Sequence, residues 1–249
     1  MVTVQCASVQ FTNLRAVLFD KDGTRANIGG LLGWLGDRRA EAVNNRVPGT
    51  GSLLRQAFGF YGAGDRASVD FRGALAVASR FENEVSAATF IAAQGYGWSE
   101  ALAIAQEAFR EVDRDMGTKA PLTPPFPEAR GCLERLGAAG LKLGIVSADG
   151  PQFVTEFVEF YGLRSLCPVA LGSTSDCLKP QAELLYRACD ELHVKPSEVL
   201  VIGDASSDVA LARNGGSAGV AILRRERSLR DHDFGADAYL ETLDDVQVI

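Results

Sequence analysis

From residue 128 onward, short apolar runs alternate with amphipathic stretches, and no other feature of the chain restricts its fold as much. Residues 128–139 have helical spacing and stop at Gly140, a residue suited to ending a helix. Residues 141–146 (LKLGIV) follow as a strand. Residues 151–161 read as a helix, with Pro151 in its first turn and Phe153, Val154, Phe157, Val158 and Tyr161 on one side. The series continues with a strand at 167–171, a helix at 181–192, a strand at 199–202 (VLVI) and a helix at 207–213. Strands at 219–223 and 238–240 complete it. Strands that alternate with helices build a parallel sheet covered on both faces.

One more strand, residues 16–19 (AVLF), stands alone near the start and runs into the turn Asp20-Lys21-Asp22-Gly23-Thr24. Residues 2–11 alternate in part and read as an additional short strand. The stretch that follows Thr24 is different. Residues 28–61 are Gly-rich, with Trp34, Leu35, Leu53 and Leu54 at helical spacing. Ala dominates residues 65–116, where 67–93 (broken near Glu82) and 99–116 (with Ser99 as N-cap) read as helices and no strand is expected. APLTPPFPE, with prolines at 121, 124, 125 and 127, reads as a stiff boundary. The expected fold is α/β. A Rossmann-like parallel-sheet core comes from residues 1–26 and 126–249, and an all-helical cap domain, residues 27–125, is inserted after the first core strand.

Charge narrows the function. Lys plus Arg number 25 against 32 for Asp plus Glu, a net charge of −7. Such a chain lacks the basic footprint of a nucleic-acid binder, and an acidic surface repels anionic lipid. No apolar run approaches the ~20 residues of a membrane span. The first ten residues hold no Lys or Arg, so no secretory signal is expected. Cysteines at 6, 132, 167, 177 and 189 are odd in number and form no CxxC pair, which fits reduced thiols and a cytoplasmic location. His193 and His232 are not spaced as zinc ligands.

Ligands of parallel α/β sheets bind at the carboxyl ends of the strands. Four apolar runs deliver polar groups there. Asp20, Lys21, Asp22, Gly23 and Thr24 follow the first; Ser147, Ala148 and Asp149 follow the second. A loop to Lys179-Pro180 follows the third, and Gly203-Asp204 with Asp208 follow the fourth. Carboxylates gathered at one edge repel unless a cation joins them, and oxygen-only ligands suit Mg²⁺. Lys and Ser suit phosphate oxygens. With no Cys or activated His on hand, the natural nucleophile is a carboxylate, which would form an aspartyl-phosphate. A second acid two residues on can protonate the leaving oxygen and then deprotonate water.

In their order and context, Asp20-Lys21-Asp22-Gly23-Thr24, Ser147, Lys179-Pro180 and Gly203-Asp204-x-x-x-Asp208 resemble the haloacid-dehalogenase superfamily. The branch resembled is the phosphoglycolate-phosphatase-like one, with a helical cap after the first motif, and the resemblance covers nearly the whole chain. It implies a Mg²⁺-dependent phosphatase for a small phosphorylated metabolite, of the phosphoglycolate or sugar phosphate type. Asp20 would be nucleophile and metal ligand, and Asp22 the acid/base with its carbonyl on the metal. Asp204 and Asp208 would complete the metal site. Thr24, Ser147, Ala148 and Lys179 would serve phosphate binding, with Thr24 also supporting the loop. The cap would close over the pocket. Arg25 departs from the usual Leu, so its cation is expected to point toward the cap and substrate; Gln181 and Ala148 depart as well. The motifs do not separate a phosphatase from a phosphomutase of the same superfamily; a non-catalytic phosphate-binding regulatory protein is a further alternative, against which every catalytic position is filled. A dehalogenase would lack Asp22, and a receiver domain would lack the insert.

Other features have plainer readings. Gly215-Gly216-Ser217-Ala218-Gly219 matches G-x-S-x-G, but a helix precedes it and a strand follows, so it reads as a helix-ending turn. The aromatics Phe58, Phe60, Tyr61, Phe71, Phe81, Phe90, Trp98 and Phe109 read as the core of the insert. Arg38, Arg39, Arg46, Arg72 and Arg80 read as solvated surface, and Arg224, Arg225, Arg227 and Arg230 as a solvated loop. Asp208 also suits the first turn of a helix, and Ser147 an N-cap.

Overall fold

Four consecutive apolar residues, Ala16–Phe19, are all buried in a computed structural model, which describes residues 1–61, 68–70, 73–174, 176–224 and 234–249. The chain opens with β1 (Val2–Cys6), β2 (Val9–Leu14) and β3 (Ala16–Phe19). Next come α1 (Gly29–Arg46), α2 (Gly51–Ala57), β4 (Phe60–Tyr61), β5 (Ser68–Val69), α3 (Ala74–Val77), α4 (Arg80–Ala92) and α5 (Trp98–Met116). The chain then runs through α6 (Ala129–Ala138), β6 (Lys142–Ser147), α7 (Pro151–Phe160), β7 (Val169–Gly172) and α8 (Ala182–Leu192). It ends with β8 (Val199–Gly203), α9 (Ser206–Gly215), β9 (Ala218–Ile222), β10 (Ala238–Leu240) and β11 (Val246–Val248).

Two compact units share these elements: Met1–Asn27 with Thr123–Ile249, and Ile28–Leu122. The residues 123–125 group with the first unit because Asn27 N–H donates to the Pro124 carbonyl at 2.8 Å and Ala26 bridges to Pro125.

The first unit is built on one parallel sheet in the order β10-β9-β8-β3-β6-β7. Alternation along the strands sorts its core into two layers. Val17, Phe19, Leu143, Ile145, Leu200 and Ile202 pack with Leu133, Leu136, Val154 and Phe157 of α6 and α7. Ala16, Leu18, Val146, Val199 and Val201 pack with Leu184, Leu185 and Leu211 of α8 and α9. Each Val, Leu, Ile or Phe among them contributes roughly 1.5–3 kcal/mol by leaving water. From β3 the chain moves outward through β6 and β7, then returns for β8 on β3's other side. The order reverses beside β3, where an open α/β sheet leaves a crevice for ligand.

Residues 2–14 differ from the single short strand expected there. They form two strands of a separate antiparallel sheet, β11-β1-β2. The turn between them passes through Ala7 at φ 52°, with neither Gly nor Asn to announce it.

Among its described residues the second unit is helical apart from a minimal antiparallel pair, β4 with β5, which the reading of this segment lacked. Its core includes Leu31, Leu35 and Val43 of α1, Leu54, Phe58, Ile91 and Phe109. Phe58 and Phe109 meet edge to face at 6.1 Å. Two aromatics assigned to this core are instead exposed, Phe81 at 58% and Trp98 at 51%. Phe71, Arg72 and the Tyr61 side chain lie outside the described residues. Of this unit's described arginines read as solvated, Arg38 is on the surface beside Glu41, Arg80 and Arg46 are part-exposed and pair with Asp113 and Glu111, and only Arg39 is buried, also against Asp113. Helix α4 starts later than expected, at a capping box in which Ser79 and Glu82 bond each other's backbone N–H. Helix α5 is preceded by Gly97, not capped by Ser99. No helix among the described residues is long and apolar enough to cross a membrane.

Candidate active site

Strands β3, β6 and β8 lie side by side, so the residues that follow them converge. Phe19 stands opposite Ile145 and Ile202, and the Asp20 N–H donates to the Ile202 carbonyl at 2.8 Å. The following loop folds back on itself. Arg25 and Ala26 N–H both donate to the Lys21 carbonyl, at 3.0 and 2.8 Å. Gly23 sits at φ 77°, and a Cβ there would strike the Asp204 carboxylate, so the loop can approach β8 this closely only with glycine.

The side-chain oxygens of Asp20, Asp204 and Asp208 lie within 4.8 Å of one another, and all three residues are buried. The Lys179 ammonium bridges two of them, 2.7 Å from Asp20 Oδ1 and 2.6 Å from Asp208 Oδ1. Asp208 also accepts the Ala205 N–H through Oδ2 at 2.9 Å, so it serves the first turn of α9 as well. The Thr24 hydroxyl donates to Asp204 Oδ1 at 3.2 Å. Its proton therefore supports the acidic cluster. A buried acidic triad with one shared ammonium fits a hard cation held by oxygen.

Asp22 stands outside this triad. Its carboxylate meets the buried Lys21 ammonium at 2.5 Å, and Lys21 also pairs with Asp149 at 3.1 Å. The Asp22 side chain keeps 28% exposure. Lys21 lies 5.6 Å from the centre of the Phe157 ring. The Ser147 hydroxyl accepts the Asp149 N–H at 3.1 Å, and its carbonyl accepts the N–H and hydroxyl of Ser173. Ser147 is not an N-cap, since Gly150 precedes α7. Ala148 is exposed between these groups.

Burial acts on both acids in the same direction. Burial pushes the Asp20 carboxyl well above the usual range; Lys179 opposes this, and Asp208, Asp204 and Asp22 add to it. Burial also raises Asp22, with Lys21 pulling down and Asp149 pushing up. Burial works against the Lys179 charge, but Asp20 and Asp208 outweigh it and raise its pKa.

Arg25 is a correction. Its guanidinium does not reach outward. It is 1% exposed, 5.2 Å from the Phe19 ring centre, with Nη1 donating to Cys167 Sγ at 3.4 Å. Arg224 is another. It donates to the Gly23 and Thr24 carbonyls at 3.2 and 2.7 Å and to Glu128 at 2.7 Å, clamping the loop. Arg225, Arg227, Arg230 and His232 lie outside the described residues. Lys21 and Arg224 were missed as parts of the site. Lys21 sits between two acids in the first motif, which is itself a signal; Arg224 carries none. The G-x-S-x-G match is a helix end, with Gly216 at φ 80° closing α9 before β9.

Comparison with known proteins shows the family and the fold. The chain matches a family of haloacid dehalogenase-like hydrolases over residues 14–216. A phosphoglycolate phosphatase of Vibrio vulnificus is 26% identical over 241 residues, covering 94% of this chain and 97% of that protein. One of Psychrobacter arcticus is 29% identical over 111 residues, 44% of this chain and about half (47%) of that protein. A Haemophilus somnus protein titled "predicted phosphoglycolate phosphatase" shares the fold at a TM-score of 0.65 and 20% identity, over 94% of this chain and 96% of that one.

Proposed function

The chain belongs to the haloacid dehalogenase-like hydrolases, and from this premise we propose that it is a Mg²⁺-dependent phosphatase acting on a small phosphorylated metabolite. The observation that carries the reading is the pairing of one ammonium, Lys179, with Asp20 and Asp208 beside Asp204 at the crevice of the sheet.

In this reading Asp20 attacks the phosphoryl group. A bond forms between its carboxylate oxygen and phosphorus, and the bond to the leaving alkoxide breaks. Asp22 gives the alkoxide its proton, and burial shifts its carboxyl in the direction that favours holding one. Asp22 then takes a proton from water as that water attacks phosphorus. Phosphate leaves and Asp20 is restored. Lys21 and Asp149 orient Asp22 and balance its charge. Lys179 opposes the rise that burial imposes on Asp20 and stands near the phosphoryl oxygens. Ser147 contributes its hydroxyl proton, and Ala148, which has no polar side chain, its backbone N–H. Asp20, Asp204, Asp208 and the Asp22 carbonyl would hold Mg²⁺, which when bound supplies charge neutralisation at the transferring group.

The full-length likeness to the Vibrio vulnificus phosphatase supports phosphoglycolate as the substrate, with a sugar phosphate as the other class to test. Five free buried cysteines support a cytoplasmic setting, and the acidic charge supports neither a nucleic-acid nor a membrane partner. The test is phosphate release from phosphoglycolate and a sugar-phosphate panel, with Mg²⁺ or EDTA, for the wild type and Asp20→Asn. Release should require Mg²⁺ and fall by at least about 10³-fold in the variant. Equal release in EDTA, or from Asp20→Asn, would refute the reading. A strict need for a bisphosphate activator would mark a phosphomutase.

A further inference from the structure

Among the described residues, Arg25 is the largest fully buried side chain. Its Nη1 donates to Cys167 Sγ, but Nε and Nη2 are buried with no hydrogen-bond partner. These two nitrogens share one edge of the guanidinium, where two N–H groups point the same way. That edge takes the paired oxygens of a carboxylate or phosphate. No ion pair to Arg25 exists among the described residues. The nearby Cys132 thiol is no counter-charge, because burial pushes it up to about 11. Arg25 also lines a cavity of about 100 Å³, with Arg130, Tyr161 and apolar side chains that include Ala129 and Leu133. A buried guanidinium that lacks its anion is costly, and Arg25 is one of the residues that border this space.

We propose that this cavity binds a small oxyanion with two acceptor oxygens, a carboxylate or inorganic phosphate, gripped by the Nε–Nη2 edge of Arg25. A space of about 100 Å³ suits an ion about the size of acetate. Its occupant bears on the catalytic loop, because the Arg25 N–H bonds the Lys21 carbonyl at 3.0 Å and its own carbonyl accepts the Phe126 N–H at 2.8 Å. A filled site pins the segment that carries Asp20 and Asp22. Arg25 acts here as an anion ligand inside the α/β unit.

Melting of the full chain in EDTA tests this. Acetate, phosphate or chloride is titrated at constant ionic strength, against a bulky sulfonate as the background anion. The wild type should gain several degrees with acetate or phosphate, the rise continuing with the logarithm of concentration. Whichever of the two acts at lower concentration identifies the class. Arg25→Leu should show no rise, and in the sulfonate buffer it should melt at or above the wild type. Ala129→Leu, which keeps the guanidinium but fills the space, should show a blunted rise and carries the test if Arg25→Leu does not fold. Equal shifts in the wild type and both variants, or no shift in the wild type, would overturn the proposal. So would a response to phosphate that survives in Arg25→Leu, since it belongs to the acidic cluster.

Discussion

Lys179 is 2% exposed and touches two carboxylates, so its replacement tests the site one residue at a time. Lys179→Met leaves Asp20 and Asp208 buried without their cation. Breaking a buried pair from one side costs about 3–5 kcal/mol. Denaturant unfolding should show that loss, and phosphate release should fall with it. Unchanged stability would mean that the ammonium is not engaged as described. Lys179 alone in a loop carries no message, and only its place between the Ser147 and Asp204 segments made it legible. Arg25 shows the opposite case. A cation after a catalytic turn reads as facing outward, because burying it without a carboxylate is costly. The structure buries it against Phe19 and Cys167, and neither partner is visible from spacing in the sequence.

At the scale of elements, legibility followed length and period. The strands of the parallel sheet were readable because buried runs such as AVLF and VLVI are apolar at every position. Helices α7 and α8 were readable from their one-sided apolar spacing. The β1–β2 hairpin was not, since its turn has no glycine or asparagine, and two-residue strands such as β4 and β5 are too short to show a period. The start of α4 was written in the sequence as Ser79-x-x-Glu82 and passed over in favour of a longer Ala-rich helix. Ser79→Ala removes one half of that box and should cost about 1 kcal/mol. Hydrogen exchange should report it as faster exchange confined to the amides of Arg80–Ala92; an effect spread across the parallel sheet would contradict a local cap.

For the whole molecule, the two-part division and the reduced thiols set the behaviour to expect. All five cysteines are free and buried. Burial pushes Cys6 up to about 12 and Cys132 and Cys189 to about 11, against the usual 9.0. A thiol with a raised folded pKa holds its proton more tightly in the folded state. Its contribution to stability is complete below about pH 9 and is lost as pH rises toward 11 to 12. Each such thiol steepens that loss by about 1.4 kcal/mol per pH unit. A thiol reagent at about pH 8 should label none of the five in the native protein and all five after unfolding. Rapid native labelling would contradict the burial. Strand order, the acidic triad and the Lys21 pair with Asp22 and Asp149 are properties of the assembled sheet, and only the order of motifs along the chain hinted at them.

The central claim is that Asp20 carries the phosphoryl group in mid-reaction. The direct measurement is acid-quenched peptide mapping of Asp22→Asn after mixing with substrate and Mg²⁺, since loss of the base should slow hydrolysis of the intermediate. One phosphoryl group on the peptide that contains Asp20, absent when Asp20 is also changed to Asn, is the predicted result. Phosphate release with no phosphoenzyme at any time point, together with full turnover in Asp20→Asn, would contradict it.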